Sequence, residues 1–255
     1  MSLDRYRTAI VTGASRGIGA AIVRQLCIGG LEVWAVARSA DDLSALALET
    51  GCRPLALDIT HRDAVLSALG GLDADILVNN ASALVKGGVS WETAPDVIDA
   101  LTAVNIKGTL NCLAATVPGI KARGRGHIVN LGSIAAVSPI PGMPVYAMTK
   151  AAIRSLGQTL RLDLHGTGVR VSEISPGRVE TGAHLALVED PEEGRRRFYD
   201  AFDCLQPDDI AEAVMFVLGA PQRMDVSYME IVPTDQSYGG SQFHQRARRA
   251  SRSPP

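Results

Sequence analysis

Short apolar runs alternate along the chain with longer segments whose apolar positions recur every three or four residues. The runs fall at residues 8–12, 32–36, 53–57, 75–78, 126–131, 169–174 and 226–232. Valine, isoleucine, leucine and alanine dominate them, which predicts strands. Between the runs, residues 18–28, 41–49, 61–69, 94–104, 106–121, 145–165 and 207–219 carry the helical period. Asp208 and Asp209 open the last of these helices, where carboxylates suit the positive end of the dipole. Several strands lack polar alternation, as expected when helices cover both faces of a parallel sheet. The pattern predicts an α/β fold, an open doubly wound parallel sheet of seven strands with helices on both faces. One domain is expected over residues 1–240, with a basic tail over 241–255. Residues 181–206 are charged and show no clear period. They follow the sixth strand, on the side where such sheets bind ligands, and are expected to form a substrate lid.

The turn between the first strand and first helix reads Thr12-Gly13-Ala14-Ser15-Arg16-Gly17-Ile18-Gly19. Gly13 can make the tight turn, Gly17 lets backbone approach a ligand, and Gly19 lets the helix pack on the sheet. The free N–H groups of the helix then face a pyrophosphate. The strand-turn-helix context marks a dinucleotide-binding (Rossmann) site, although the spacing is GxxxGxG rather than GxGxxG. Ser15 and Ile18 belong to the same contact surface. At the end of the second strand, Ala37-Arg38-Ser39 stands where a carboxylate would bind the 2′-hydroxyl of NAD. The fork of Arg38, with Arg16 in the turn, fits a 2′-phosphate, so NADP is the expected cofactor. The competing reading leaves each arginine merely solvated. Asp58, followed by Ile59 after the third strand, is placed to receive the adenine amino group.

Composition narrows the class further. Apolar residues make up 46% and charged residues 20% of 255, so the chain can bury a core and wholesale disorder is excluded. A net charge of −2 and 4% aromatic residues predict no nucleic-acid partner. No apolar run approaches the roughly 18 residues of a membrane span, so no membrane partner is expected. Cys27, Cys52, Cys112 and Cys204 show no CxxC spacing and the histidines no HExxH, so no metal is expected. Cys27 and Cys112 read as small core residues. No secretory leader pattern is present, which points to a cytoplasmic, reducing compartment. Beyond His244, Arg246, Arg248, Arg249 and Arg252 read either as an anion or partner contact or as a solvated terminus.

Tyr146 and Lys150 are four residues apart on one helix face. A lysine cation beside the phenol is expected to favour phenolate, so that Tyr146 can exchange a proton with a carbinol or carbonyl. Ser133 follows the fifth strand and projects toward the same cleft, where its hydroxyl can hold the substrate oxygen. Together with Asn79-Asn80-Ala81, Val104-Asn105 and Ser175-Pro176-Gly177-Arg178-Val179-Glu180-Thr181, these residues resemble the short-chain dehydrogenase/reductase family over about residues 7–235. The resemblance implies Tyr146 as acid/base, Ser133 as the group orienting substrate, and Lys150 as ligand of the nicotinamide ribose. It implies Asn105 as the fourth member of a tetrad, its backbone holding a water; read alone, Asn105 is a helix-bend residue. Asn80 and Ala81 would flank the adenosine ribose. Pro176, Gly177, Val179 and Thr181 would cover the nicotinamide. Ser82 departs from the family's usual glycine without removing a reacting group. Homodimers or homotetramers, paired through the helices near 106–121 and 145–165, are implied as well.

The segment from Tyr228 to Gly240 is similar to the endings of NADP-dependent 3-hydroxy acid dehydrogenases of serine and allo-threonine type. The leading expectation is an NADP(H)-dependent oxidoreductase moving hydride between nicotinamide and a secondary alcohol or carbonyl, most simply a small 3-hydroxy acid. A ketoreductase for a bulkier carbonyl is the alternative. A protein that only senses NADP would not need Ser133, Tyr146 and Lys150 together. A substrate carboxylate calls for a cation, for which Arg178 and Arg195 to Arg197 are candidates. The arginines at 195–197 read equally as a solvated run on the lid. Phe198, Tyr199 and Phe202 could roof an apolar substrate, while Phe198 and Phe202, four apart, could instead pack the lid down.

Overall fold

The strands alternate their side chains between two helical layers, and the burial shows this directly. In β1 (Thr8–Thr12), Ala9 and Val11 face one core while Ile10 faces the other. In β4 (Ile76–Asn79), Ile76 and Val78 part from Leu77 in the same way. The computed structural model describes residues 3–237 and Phe243. Besides β1 and β4, it contains β2 (Glu32–Ala37), β3 (Arg53–Ala56), β5 (Gly126–Leu131), β6 (Val169–Pro176) and β7 (Tyr228–Ile231). All seven strands are parallel, in the order β3-β2-β1-β4-β5-β6-β7. The order reverses between β1 and β4, and a ligand crevice is expected beyond the carboxyl ends of these strands.

One layer holds α1 (Gly17–Ile28), α2 (Ala40–Thr50) and α8 (Pro207–Gly219), which bury Ile22, Leu26, Leu43, Val214 and Leu218. The other holds α3 (Arg62–Leu69), α5 (Thr109–Ala122) and α6 (Pro144–Asp163), which bury Leu69, Cys112, Ile120 and Leu160. The predicted helices at 94–104 and 106–121 form one helical path without a break. It runs from α4 (Pro95–Thr102) through a wider, π-type turn at Ala103–Gly108 into α5. Cys112 is buried as expected, and burial pushes its thiol up to about 12. Cys27 is only half-buried, and Cys52 is the buried thiol of that layer instead.

Residues 181–206 are more ordered than their pattern suggested. They contain short helical turns at Ala183–Leu187, α7 (Pro191–Arg195) and Arg196–Asp200. Asp190 caps α7 by accepting from the N–H of Glu192 at 2.9 Å, with Pro191 in the first turn. Both ends of this segment are tied down. Leu205 donates to the carbonyl of Arg178 at 3.1 Å, and Glu180 donates to that of Leu205 at 2.8 Å. Among the described residues, no helix is long and apolar enough to cross a membrane. The predicted tail at 241–255 lies outside the described residues except for Phe243.

Candidate active site

At the carboxyl ends of β1 and β2 lies a cleft of about 490 Å³, lined by Gly13, Ser15, Arg16, Gly17, Ile18, Arg38, Asp58, Ile59, Asn80, Ala81 and Thr181. The turn that forms it is held from below. The Thr12 hydroxyl accepts from the N–H groups of Asn80 and Ala81, each at 3.1 Å. The Asn80 amide donates to the carbonyls of Thr12 and Gly13 at 2.9 and 3.0 Å. Gly13 and Gly17 have φ of +64° and +57°, which a side chain rarely adopts. A Cβ at Gly13 would lie 2.7 Å from Ala81 Cα, and one at Gly17 only 3.3 Å from Thr181 Cβ. Gly19 does not line the cleft; it is buried against the Gly13 carbonyl and the Asn80 amide, under the turn.

The open end of α1 suits an anion. Arg16 precedes it in extended conformation with no side-chain cap, and no acidic residue sits in its first turn. By contrast α2 opens on a Ser39 cap with Asp41 and Asp42, and α8 on Asp208 and Asp209. The first N–H groups of α1 are therefore available to a pyrophosphate. Arg16 and Arg38 are both exposed at the rim. Burial works to raise Asp58, but hydrogen bonds from Thr60 and the charge of Arg38 hold its carboxyl below the ordinary range. The shape and donors of the cleft fit a dinucleotide carrying an extra phosphate.

A second cavity of about 170 Å³ opens beyond β5 and β6, lined by Ser133, Tyr146, Lys150, Pro176, Gly177, Arg178, Val179 and His184 among others. Ile18, Asn80, Ser82, Thr181 and Ala183 line both cavities, which makes the two continuous. Ser133 leaves β5 in extended conformation, and its Oγ accepts from the N–H of Ala135 at 3.1 Å. Lys150 is buried and donates to the carbonyl of Leu131 at 2.9 Å. Its Nζ lies 5.8 Å from the centre of the Tyr146 ring. Burial lowers Lys150 to about 8, against the raising effect of Glu173.

The expected lowering of Tyr146 by Lys150 does not hold in the protein alone. Burial pushes the phenol above its ordinary range, and only a hydrogen bond from Ser133 works the other way. The ammonium is turned toward the Leu131 carbonyl, so desolvation of the phenol prevails.

Asn105 lies behind the cavity rather than in it. Its Oδ1 accepts from the N–H of Ala83 at 2.7 Å and the hydroxyl of Ser82 at 3.2 Å. Its Nδ2 donates to Thr149 Oγ1 at 3.0 Å, and that hydroxyl donates to the carbonyl of Tyr146 at 2.8 Å. Asn105 thus links the 82–83 loop to the turn carrying Tyr146. The π-type turn agrees with its reading as a helix-bend residue. No described residue other than glycine has positive φ, so Ser82 needs no backbone that glycine alone supplies.

Two neighbours of the site are not legible in the sequence alone. Thr149, three residues after Tyr146, carries the link to Asn105. Glu173, buried on β6, accepts from Ser175 Oγ at 2.8 Å and stands close enough to Lys150 and Arg154 for their charges to act on it. A carboxylate in the middle of a predicted strand, between Ser172 and Ile174, was its signal. Arg195 is spent on Glu180 at 2.9 Å and Asp200 at 3.4 Å, and Arg197 is exposed.

Comparison with known proteins agrees with this geometry. The family profile described as short chain dehydrogenase matches residues 7–192. The NADP-dependent 3-hydroxy acid dehydrogenase YdfG of Salmonella typhi is 37% identical over 251 residues, covering 92% of this chain and 98% of that protein. Serine 3-dehydrogenase of Agrobacterium fabrum is 35% identical over 247 residues, covering 94% and 99%. A solved structure described as the closed form of serine dehydrogenase complexed with NADP+ is 33% identical. It superposes with a TM-score of 0.87 and covers 94% of this chain and 100% of that one. The chain belongs to the short chain dehydrogenase family.

Proposed function

We propose that this chain is an NADP(H)-dependent oxidoreductase interconverting a small 3-hydroxy acid and its carbonyl product. The observation that carries the reading is the meeting of Ser133, Tyr146 and Lys150 in one small cavity continuous with the dinucleotide cleft. The bound NADP+ would supply the hydride acceptor. Gly13, Ser15, Gly17 and Ile18 would cradle its pyrophosphate, with Gly19 supporting the turn. Arg16 and Arg38 would hold the 2′-phosphate. Asp58 and Ile59 would meet the adenine, and Asn80 and Ala81 the adjoining ribose. Pro176, Gly177, Val179 and Thr181 would cover the nicotinamide.

Ser133 would donate to the substrate oxygen and orient the carbinol. Tyr146, as phenolate, would take the hydroxyl proton as hydride leaves the same carbon; in reduction the phenol returns it. Lys150 would bind the nicotinamide ribose and stabilise the phenolate. Asn105 would hold Tyr146 in place through Thr149. The small second cavity favours a compact substrate over a bulky ketone.

The names of the relatives support the same substrate class and cofactor. The test is oxidation of a panel of hydroxy acids, sugars and bulkier alcohols, with NADP+ and NAD+ in turn. Small 3-hydroxy acids with NADP+ should give the highest kcat/KM. A clear preference for NAD+, or for bulky neutral alcohols, would overturn the assignment. We also propose self-association through α5 and α6 as a homodimer or homotetramer, since Leu110, Met148 and Leu162 there are exposed. Sedimentation equilibrium yielding a monomer would remove that proposal. The four free thiols suit the cytoplasm, where we place the enzyme.

A further inference from the structure

Arg178 enters the second cavity from the turn after β6. It is held there by ring faces. Its guanidinium carbon lies 5.1 Å from the centre of Phe198 and 5.2 Å from that of Phe243. Phe202 stacks on Phe243 at 4.1 Å and closes the aromatic support. Its backbone is fixed as well, because its N–H donates to Gln236 Oε1 at 2.9 Å. Such faces orient a guanidinium without neutralising it.

Apart from Arg197, a second cation 5.3 Å from the centre of the same Phe198 ring, the titratable groups nearest to it are uncharged at neutral pH. Burial and the charge of Arg178 lower His184 to about 3, so its ring is neutral. Burial pushes the Cys204 thiol up to about 12 and the Tyr199 phenol above its ordinary range. Among the described residues, no carboxylate forms an ion pair with Arg178. A half-buried cation held without a counter-charge, beside the reacting groups, is costly unless an anion completes it. Of the other cations, Arg197 lies over Phe198 but does not line the cavity, and the rest are committed or distant. Lys150 is turned to the Leu131 carbonyl, Arg195 is paired with Glu180 and Asp200, and Arg16 and Arg38 line the far cleft.

We propose that Arg178 is the specificity-determining residue that binds the substrate's carboxylate, through two N–H donors of its planar fork. Selection for an acid over a neutral alcohol then resides in this one side chain, while Ser133 and Tyr146 handle the carbinol. The inference rests on the hydride-transfer reading given above, and its test separates the two.

The variants are Arg178→Gln, which removes the charge, and Arg178→Lys, which keeps it but loses the fork. The substrates are 3-hydroxypropanoate and its methyl ester, with NADP+. Arg178→Gln should raise KM for the acid about 10- to 100-fold, the range for a hydrogen bond to a charged group. The ester's KM and the NADPH affinity should stay within about threefold of wild type, well below that range. Arg178→Lys should fall between. Equal effects on acid and ester, an unchanged acid KM, or a loss of NADPH affinity in both variants would overturn the proposal. Binding of propanoate to the NADP+-loaded protein, read by calorimetry, separates recognition from chemistry. Propanoate binding that disappears in Arg178→Gln supports the anchor even if neither alcohol is oxidised, an outcome that defeats only the catalytic reading. Absent binding in wild type, or equal binding in both proteins, counts against the anchor whether or not turnover occurs.

Discussion

At the scale of single residues, chemistry is divided between groups that meet the ligand and groups that aim them. Ser133, Tyr146 and Lys150 were legible because their spacing sets them past one strand and on one helix face. The direction of the Tyr146 shift was not, because burial is a property of the packed structure and here it outweighs the lysine. Glu173 was hidden for a related reason. Its role depends on lying across the sheet from Asn130, its register partner, and near Lys150, and neither relation is local in sequence. Arg38 could be read from its position at the end of β2, since a guanidinium there replaces the usual acid. Arg38→Ala should weaken NADPH about 10- to 100-fold, as expected for a lost charge-assisted bond, while NADH affinity stays nearly constant. Fluorescence titration with both nucleotides checks this, and equal losses would argue against the phosphate assignment.

At the scale of elements, the helices and strands with strong periods could be read to within a few residues, while the connections could not. The lid turns escaped because each is too short for a period to register. The Asp190-Pro191-Glu192-Glu193 start signal was nevertheless present in the chain. In the sequence Asn105 reads as a break between two helices, whereas a wider turn absorbs it within one helical path from Pro95 to Ala122. The join between β5 and Ser133 depends on Gly132. A Cβ at Gly132 would stand 2.5 Å from Glu173 Oε1 and 2.7 Å from Ser175 Oγ. Gly132→Ala should therefore cost about 1–3 kcal/mol by overpacking and displace Ser133, lowering kcat. Urea denaturation and steady-state kinetics measure both effects. A variant as stable and active as wild type would show that β5 and β6 are less tightly joined than described.

At the scale of the whole molecule, the parallel seven-stranded sheet followed from the alternation of elements, and the position of the cleft followed from the reversal of strand order. The same architecture buries a cation, Lys150, at its centre. Its folded pKa of about 8 lies below the ordinary 10.5 that it regains on unfolding. Between those values unfolding takes up a proton, so Lys150 makes stability rise with pH across that window. Below about pH 8 both states are protonated and the cost of burial is fully felt. Lys150→Met should then be more stable than wild type at neutral pH, by an advantage that shrinks as pH rises from 8 toward 10.5. Paired urea melts of the cofactor-free proteins test the sign, and an advantage that widens would contradict it. The proposed catalysis rests on proton exchange by Tyr146 beside the nicotinamide. Its most direct test is a single turnover of Tyr146→Phe with bound NADP+ and 3-hydroxypropanoate, alongside an NADPH titration. NADPH affinity should be unchanged and the hydride-transfer rate lower by about 10²- to 10⁴-fold; transfer at the wild-type rate would contradict this role for Tyr146.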